Sequence, residues 1–215
     1  MEHLPMILIE GALGFSLAAC AGLRAFLPLF VIGVLSRTGA LQLGDSFTWI
    51  GSTHALIAFG TATVIEVLGD KFPAVDNVLD SAGLIIKPVA GTLLFSAVIV
   101  KMDPLLSIIL GIIAGGSIAE LIHVKKAAIR LASSGLTGGI ANPFISCIED
   151  IGALAGTFLS YALPLLAVFL VTAGIFLFLK LYRRSVLKRQ ARAGQAPLPA
   201  GGAERESAVE RNGAA

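Results

Sequence analysis

"EVLGDKFPAVDNVLD", residues 66–80, places four carboxylates and one lysine within fifteen positions, between two long apolar runs. Its reading decides the fold. The chain of 215 residues is 56% hydrophobic and only 14% charged, with a mean hydropathy of +0.88. Those values lie outside the range of ordinary soluble domains, so the acidic stretch reads as a polar break between two membrane spans. Glu66 and Asp70 are four residues apart, which puts both carboxylates on one face if the preceding helix continues to Lys71.

Working outward, a hydrocarbon core of about 30 Å needs roughly 20 helical residues, and counting apolar runs of that size predicts an all-α polytopic bundle of about six transmembrane helices. The runs are residues 6–35, 53–68, 81–100, 104–122, 143–160 and 163–181. Asp103-Pro104 and Asn142-Pro143 each offer an Asx N-cap followed by a proline that has no donor to lose. The first run is over-long for one helix, at about 45 Å, so it must tilt, lie partly flat or break. Gly22, Arg24 and Pro28 mark the easiest break, because Pro28 cannot bond to the carbonyl of Arg24. Lys87-Pro88 predicts a kink early in the third span that frees the carbonyl of Leu84.

Charge placement sets the expected orientation. Lys180, Arg183, Arg184, Lys188, Arg189 and Arg192 follow the last run with no acid among them, a cytoplasmic signal and not a nucleic-acid footprint. Counting back through six spans puts the cluster Lys125, Lys126 and Arg130 inside as well, together with the N-terminus. Glu2 and His3 stand where a secretory signal would be basic, so the first span is expected to remain uncleaved. Residues 1–184 then form the transmembrane domain and 185–215 a disordered cytoplasmic tail rich in Ala, Gly, Glu and Arg. Cys20 and Cys147 lie far apart in apolar segments and suggest neither a disulfide nor a metal site.

A few ionisable residues fall where a bilayer penalises them. Glu149 and Asp150 lie about 10 Å into the fifth span by helical rise, where unpaired acids cost several kcal/mol. Arg24 stands inside the longest apolar run and needs a carboxylate or freed carbonyls, with Glu149, Asp150 or Glu66 as candidate partners. Lys87 is expected to snorkel. Sliding the chain by about 54 positions aligns Glu66 with Glu120 and Lys71 with Lys125, which raises an internal duplication of the parallel kind seen in transporters. His123 follows Glu120 at i+3, compatible with a proton relay or a metal site, although it also begins a polar loop. Gly111, Gly115 and Ala119, and Gly152, Gly156 and Ser160, form small-residue stripes that suit either packing within the chain or a homo-oligomer. No Walker loop, H-E-x-x-H, nucleophile elbow or dinucleotide fingerprint is present, so neither an enzyme nor a cofactor is expected.

Three stretches, "GLRAFLPL" (residues 22–29), "EVLGDKFPAVDNVLD" with the following Lys87-Pro88, and "SSGLTGGIANPFISCIED" (residues 133–150), resemble the bacterial membrane family catalogued as domain-of-unknown-function family 4126. The resemblance covers about residues 8–180 and implies a multi-helix inner-membrane protein without assigning an activity. A weaker likeness is to small calcium and manganese exchangers with a repeated Glu-x-Gly-Asp-Lys-Thr/Ser signature. Here Glu66, Gly69, Asp70 and Lys71 echo it with one extra residue, Phe72 replaces the hydroxyl, and Glu120 opens no second copy. The expectation is a carboxylate-lined interior, with Arg24, Glu66, Asp70, Lys71, Glu120, Glu149 and Asp150 as the polar or ion-binding residues, moving a small cation or a proton-coupled solute. The alternative is a membrane scaffold or assembly protein in which the same charges are structural pairs.

Overall fold

The computed structural model describes residues 4–137, 141–164, 166, 168–170, 172–177, 179, 180 and 183, and every regular element among them is helical. The chain divides into two units, Met1–Val171 and Thr172–Ala215. In the second, residues 172–177 are helical. The expected sixth span falls partly outside the described residues, and the 184/185 boundary and the tail fall wholly outside them.

The first unit holds α1 (Leu4–Leu23), α2 (Phe26–Arg37), a 3-10 helix (Asp45–Gly51), α3 (Thr53–Gly69) and α4 (Pro73–Ala97). Then come α5 (Pro104–Leu110), a π-helical turn (Gly111–Gly116), α6 (Ser117–Thr137) and α7 (Asn142–Ala162). Among the described residues, three stretches are long and apolar enough to cross a membrane: Met6–Leu23, Val78–Ala97 and Pro104–Gly135. A fourth exists if the 3-10 helix and α3, bent by 61°, make one span.

The first apolar run is two helices and not one. α1 ends at Leu23 and α2 begins at Phe26, which puts Pro28 in a first turn where its missing N–H leaves no bond unmade. Gly14 lies against the backbone of Phe95, and thirty residues later the N–H of Gly44 donates to the carbonyl of Ala97 at 2.9 Å. The chain has therefore doubled back, and the reversal is at Arg24-Ala25. Leu17, Ala21, Ala25, Leu29 and Ile32 from the two arms share one buried core with Ala90, Leu94 and Val98 of α4.

Other boundaries moved for identifiable reasons. The polar break expected at the acidic stretch is short, because α4 starts at Pro73 and Asp80 is inside it. The loop expected after residue 122 is helix up to Thr137, so Lys125, Lys126 and Arg130 ride on α6. Asp103 does cap α5, accepting from Leu105 N at 2.9 Å and Leu106 N at 3.2 Å. Asn142 does not cap α7; its side-chain amide donates to Ser134 Oγ at 2.9 Å, and Ala141 precedes the helix without a side-chain cap.

The glycine stripes are occupied within the chain. Gly115 meets the carbonyl of Gly91 on α4, and a Cβ on Gly111 would lie 2.7 Å from the carbonyl of Thr92. Gly156 lies against Cys20 of α1. Both cysteines are free.

Candidate functional site: a charge cluster at the helix break

Reversing the chain at Arg24-Ala25 leaves the first N–H groups of α2 without helical partners. Its N-cap, Ala25, has no side-chain oxygen to offer. Glu66, from the last turn of α3, supplies acceptors for two of them: Oε1 takes the Ala25 N–H at 2.9 Å and Oε2 the Phe26 N–H at 3.2 Å. An anion on a helix N-terminus also opposes the helix dipole. Glu66 is thus the cap of a helix forty residues earlier in the chain.

Arg24 occupies the break itself with no solvent exposure. Its Nη1 lies 2.6 Å from Asp70 Oδ2 and donates to the Glu66 carbonyl at 3.2 Å. Its Nη2 lies 2.6 Å from Asp150 Oδ1 and donates to Ser146 Oγ at 3.0 Å. One planar guanidinium therefore ties the α1–α2 joint to the end of α3 and to α7, a task suited to its rigid fork of donors.

The acids are matched by further cations. Lys126 Nζ lies 3.2 Å from Asp70 Oδ2 and 3.1 Å from Glu149 Oε2. Lys71 Nζ lies 3.3 Å from Asp150 Oδ2 and donates to Ser146 Oγ at 3.0 Å. Arg130 Nη1 stands 3.7 Å from both Asp70 and Asp80. Four cations, Arg24, Lys71, Lys126 and Arg130, thus face four carboxylates, Asp70, Asp80, Glu149 and Asp150. Among the described residues no three His, Cys, Asp or Glu side chains converge to hold a metal ion. Beside the cluster is a cavity of about 20 Å³ lined by Glu66, Asp70, Asp80, Lys87 and Lys126, room for a single water.

Asp70 lies just past the end of α3. Burial alone would raise its carboxyl, but the cations Lys126, Arg24 and Arg130 outweigh burial and hold it below its ordinary value of 3.8. A depressed folded-state value means that the stability gained from pairing is fully present above that ordinary value and is lost as pH falls through the lowered one. Acid titration of the detergent-solubilised protein, followed by thermal unfolding, will show this loss, and Asp70→Asn will show a flatter acid limb from a lower starting stability.

Of the expected residues, Arg24, Glu66, Asp70, Lys71, Glu149 and Asp150 come together. Glu120 does not: it lines an outward groove with Pro88, Thr92, Ile112 and Gly116. The two ends of the suggested duplication therefore have different surroundings. Lys87, expected to snorkel, and His123, placed at the start of a polar loop, are 4% and 1% exposed, with Nζ and Nδ1 2.8 Å apart. Gly83 makes this possible, since a Cβ there would stand 3.0 Å from the imidazole Cε1. Lys126, Arg130 and Ser146 were missing from the expected site. Lys126 and Arg130 share a helix face at i,i+4, a signal hidden by assigning them to a loop.

The fold and cluster define a class: a helical membrane protein with paired charges buried at a broken helix. The chain belongs to the family described as a domain of unknown function (DUF4126), whose profile matches residues 12–184. No curated protein and no solved structure matches it.

Proposed function

We propose that this chain is a proton-coupled membrane transport protein in which the Arg24 cluster acts as a gate at one mouth of the bundle. The observation that carries this reading is the double tie of a fully buried guanidinium, at a helix break, to acids on two other elements. The α1–α2 joint is held in place by Asp70, Asp150 and Glu66, so protonating one of the aspartates would remove half of the Arg24 tie and release the joint. Broken helices, intramembrane charges and π turns recur at transport sites. A proton fits better than a metal cation as coupling ion, because each carboxylate of the tie already faces one of the protein's own cations and protonation needs no emptied coordination shell.

In the same reading the cluster face, which carries Lys125, Lys126 and Arg130, is cytoplasmic. Since α1 runs towards that face, its start lies on the opposite side, against the cytoplasmic N-terminus expected from span counting. Placement in a bacterial inner membrane is part of this proposal.

The second reading, a non-transporting scaffold, is favoured by the one-water size of the cavity beside the cluster. Proteoliposomes loaded with a pH-sensitive dye and given a potassium diffusion potential separate the two. Lys71 and Asp150 are 30% and 21% exposed at their side chains, so the double variant Lys71→Gln/Asp150→Asn loosens the tie without stripping a buried core charge. The gate reading expects proton flux above protein-free vesicles, and faster flux in the variant. The scaffold reading expects neither protein to differ from empty vesicles.

A further inference from the structure

Of the two aspartates that hold Arg24, Asp70 is 2% exposed at its side chain and Asp150 21%. A proton bound for Asp70 therefore needs a conductor, and two buried side chains outside the ion-pair cluster stand where one is required. Lys87 of α4 lines the one-water cavity together with Asp70 and Glu66. His123 of α6 lines a different space, a cleft of about 500 Å³ that opens outward past Leu84 and Leu131, which are 56% and 75% exposed. The two side chains meet, with Lys87 Nζ 2.8 Å from His123 Nδ1. Glycine at position 83 keeps them together: a Cβ there would stand 3.0 Å from the imidazole Cε1 and 3.4 Å from Lys87 Cε. Lys87 takes part in none of the ion pairs around Arg24. The pair thus joins the space that holds Asp70 to a space that reaches the surface.

We propose that Lys87 and His123 form a proton relay that loads Asp70 from the cleft, an inference that rests on the gate reading. Before loading, the Lys87 amine is neutral and the imidazole donates to it from Nδ1. A proton from the cleft binds the other ring nitrogen as the Nδ1 proton passes to Lys87 Nζ, leaving a neutral ring and an ammonium. The ammonium then gives a proton to water in the cavity, and that water gives one of its own to the Asp70 carboxylate. Each transfer breaks one N–H or O–H bond and makes another. The last one discharges a cation and an anion together, so it adds no net charge to a buried region where charge is costly. Charged groups face the pair from three elements: Asp80 on α4, Glu120 and Lys126 on α6, and Glu66 and Asp70 at the end of α3. Lys126 repels an ammonium at Lys87 and favours its discharge, while the acids attract it and keep the loaded state within reach. Asp80 lines both the cavity and the cleft, so a route through its carboxylate is the competitor to be separated.

Proton flux into dye-loaded proteoliposomes of the full-length chain tests the relay. His123→Gln keeps a hydrogen-bond acceptor for Lys87 but cannot pass a proton on, His123→Ala leaves space for a free base, and Lys87→Met removes the amine; unfolding temperatures establish which of them fold. The expected result is flux slower by about 100-fold in every folded variant, the order that a positioned proton-transfer group contributes. Added imidazole restores His123→Ala but not Lys87→Met, measured against protein-free vesicles given the same imidazole. If the unaltered chain shows no flux above empty vesicles, the gate reading and the relay fall together. If it shows flux that the folded histidine variants leave unchanged, or that Asp80→Asn slows and they do not, the gate stands and the relay is overturned. Slow flux in His123→Ala that imidazole leaves slow makes the histidine structural and overturns the relay as well.

Discussion

Replacing Arg24 with glutamine will destabilise the detergent-solubilised protein by about 3–5 kcal/mol, the range for removing one member of a buried ion pair. The penalty arises from what is left behind more than from what is lost. Asp70 and Asp150 each lose a partner at 2.6 Å, and Asp70 has almost no access to water to replace it. Arg24→Lys will recover only part of the loss, because a single ammonium cannot reach Asp70, Asp150, Ser146 and the Glu66 carbonyl from one position. Thermal unfolding of the three proteins checks the order: unaltered, then lysine, then glutamine. If Arg24→Gln unfolds with the unaltered protein, the guanidinium is not holding the break. Combining Arg24→Gln with Asp70→Asn should cost less than the sum of the two, since both changes remove the same 2.6 Å pair.

Gly115→Ala is expected to destabilise by about 1–3 kcal/mol, the usual effect of adding atoms to a close-packed core. A Cβ there would collide with the carbonyl of Gly91 and stand 2.6 Å from Phe95 Cβ. The obstacle is largely backbone, which cannot rotate aside. The π turn and α4 would have to separate, and with them the core around Leu94 and Ala119. Gly91→Ala should behave alike, with 2.6 Å contacts to the Gly115 carbonyl and Ala119 Cβ. Alanine gains about 1 kcal/mol of helix propensity over glycine, which isolates the steric effect by its opposite sign. Gly11→Ala, where nothing lies within 4 Å, should be neutral or stabilising and serves as the control.

The charge cluster was legible as a list of suspects but not as an arrangement. Arg24, Glu149 and Asp150 stood out because an apolar run makes any ionised group expensive, so each had to find a partner. That Glu66 would serve two backbone donors of α2 was not legible, since nothing local in "EVLGDK" refers to a helix forty residues earlier. Lys126 and Arg130 follow an apolar run, a position where basic residues usually meet water. Only the extension of α6 to Thr137, beside the acids of α3 and α7, turned them inward.

Composition and periodicity by themselves determined that this is an all-helical chain with spans of membrane length. They also placed polar breaks, the Asp103 cap and a weak joint between Gly22 and Pro28, because each of these follows from hydrophobicity or local backbone chemistry. The tertiary structure decided the direction of the chain at that joint, the partners of the charges around Arg24 and the use of the glycines. The reason is one of range: helix formation and membrane partition are governed by neighbours within a turn or two. The reversal at Arg24 is settled by a carboxylate, a hydroxyl and two aspartates that approach it from distant positions in the chain.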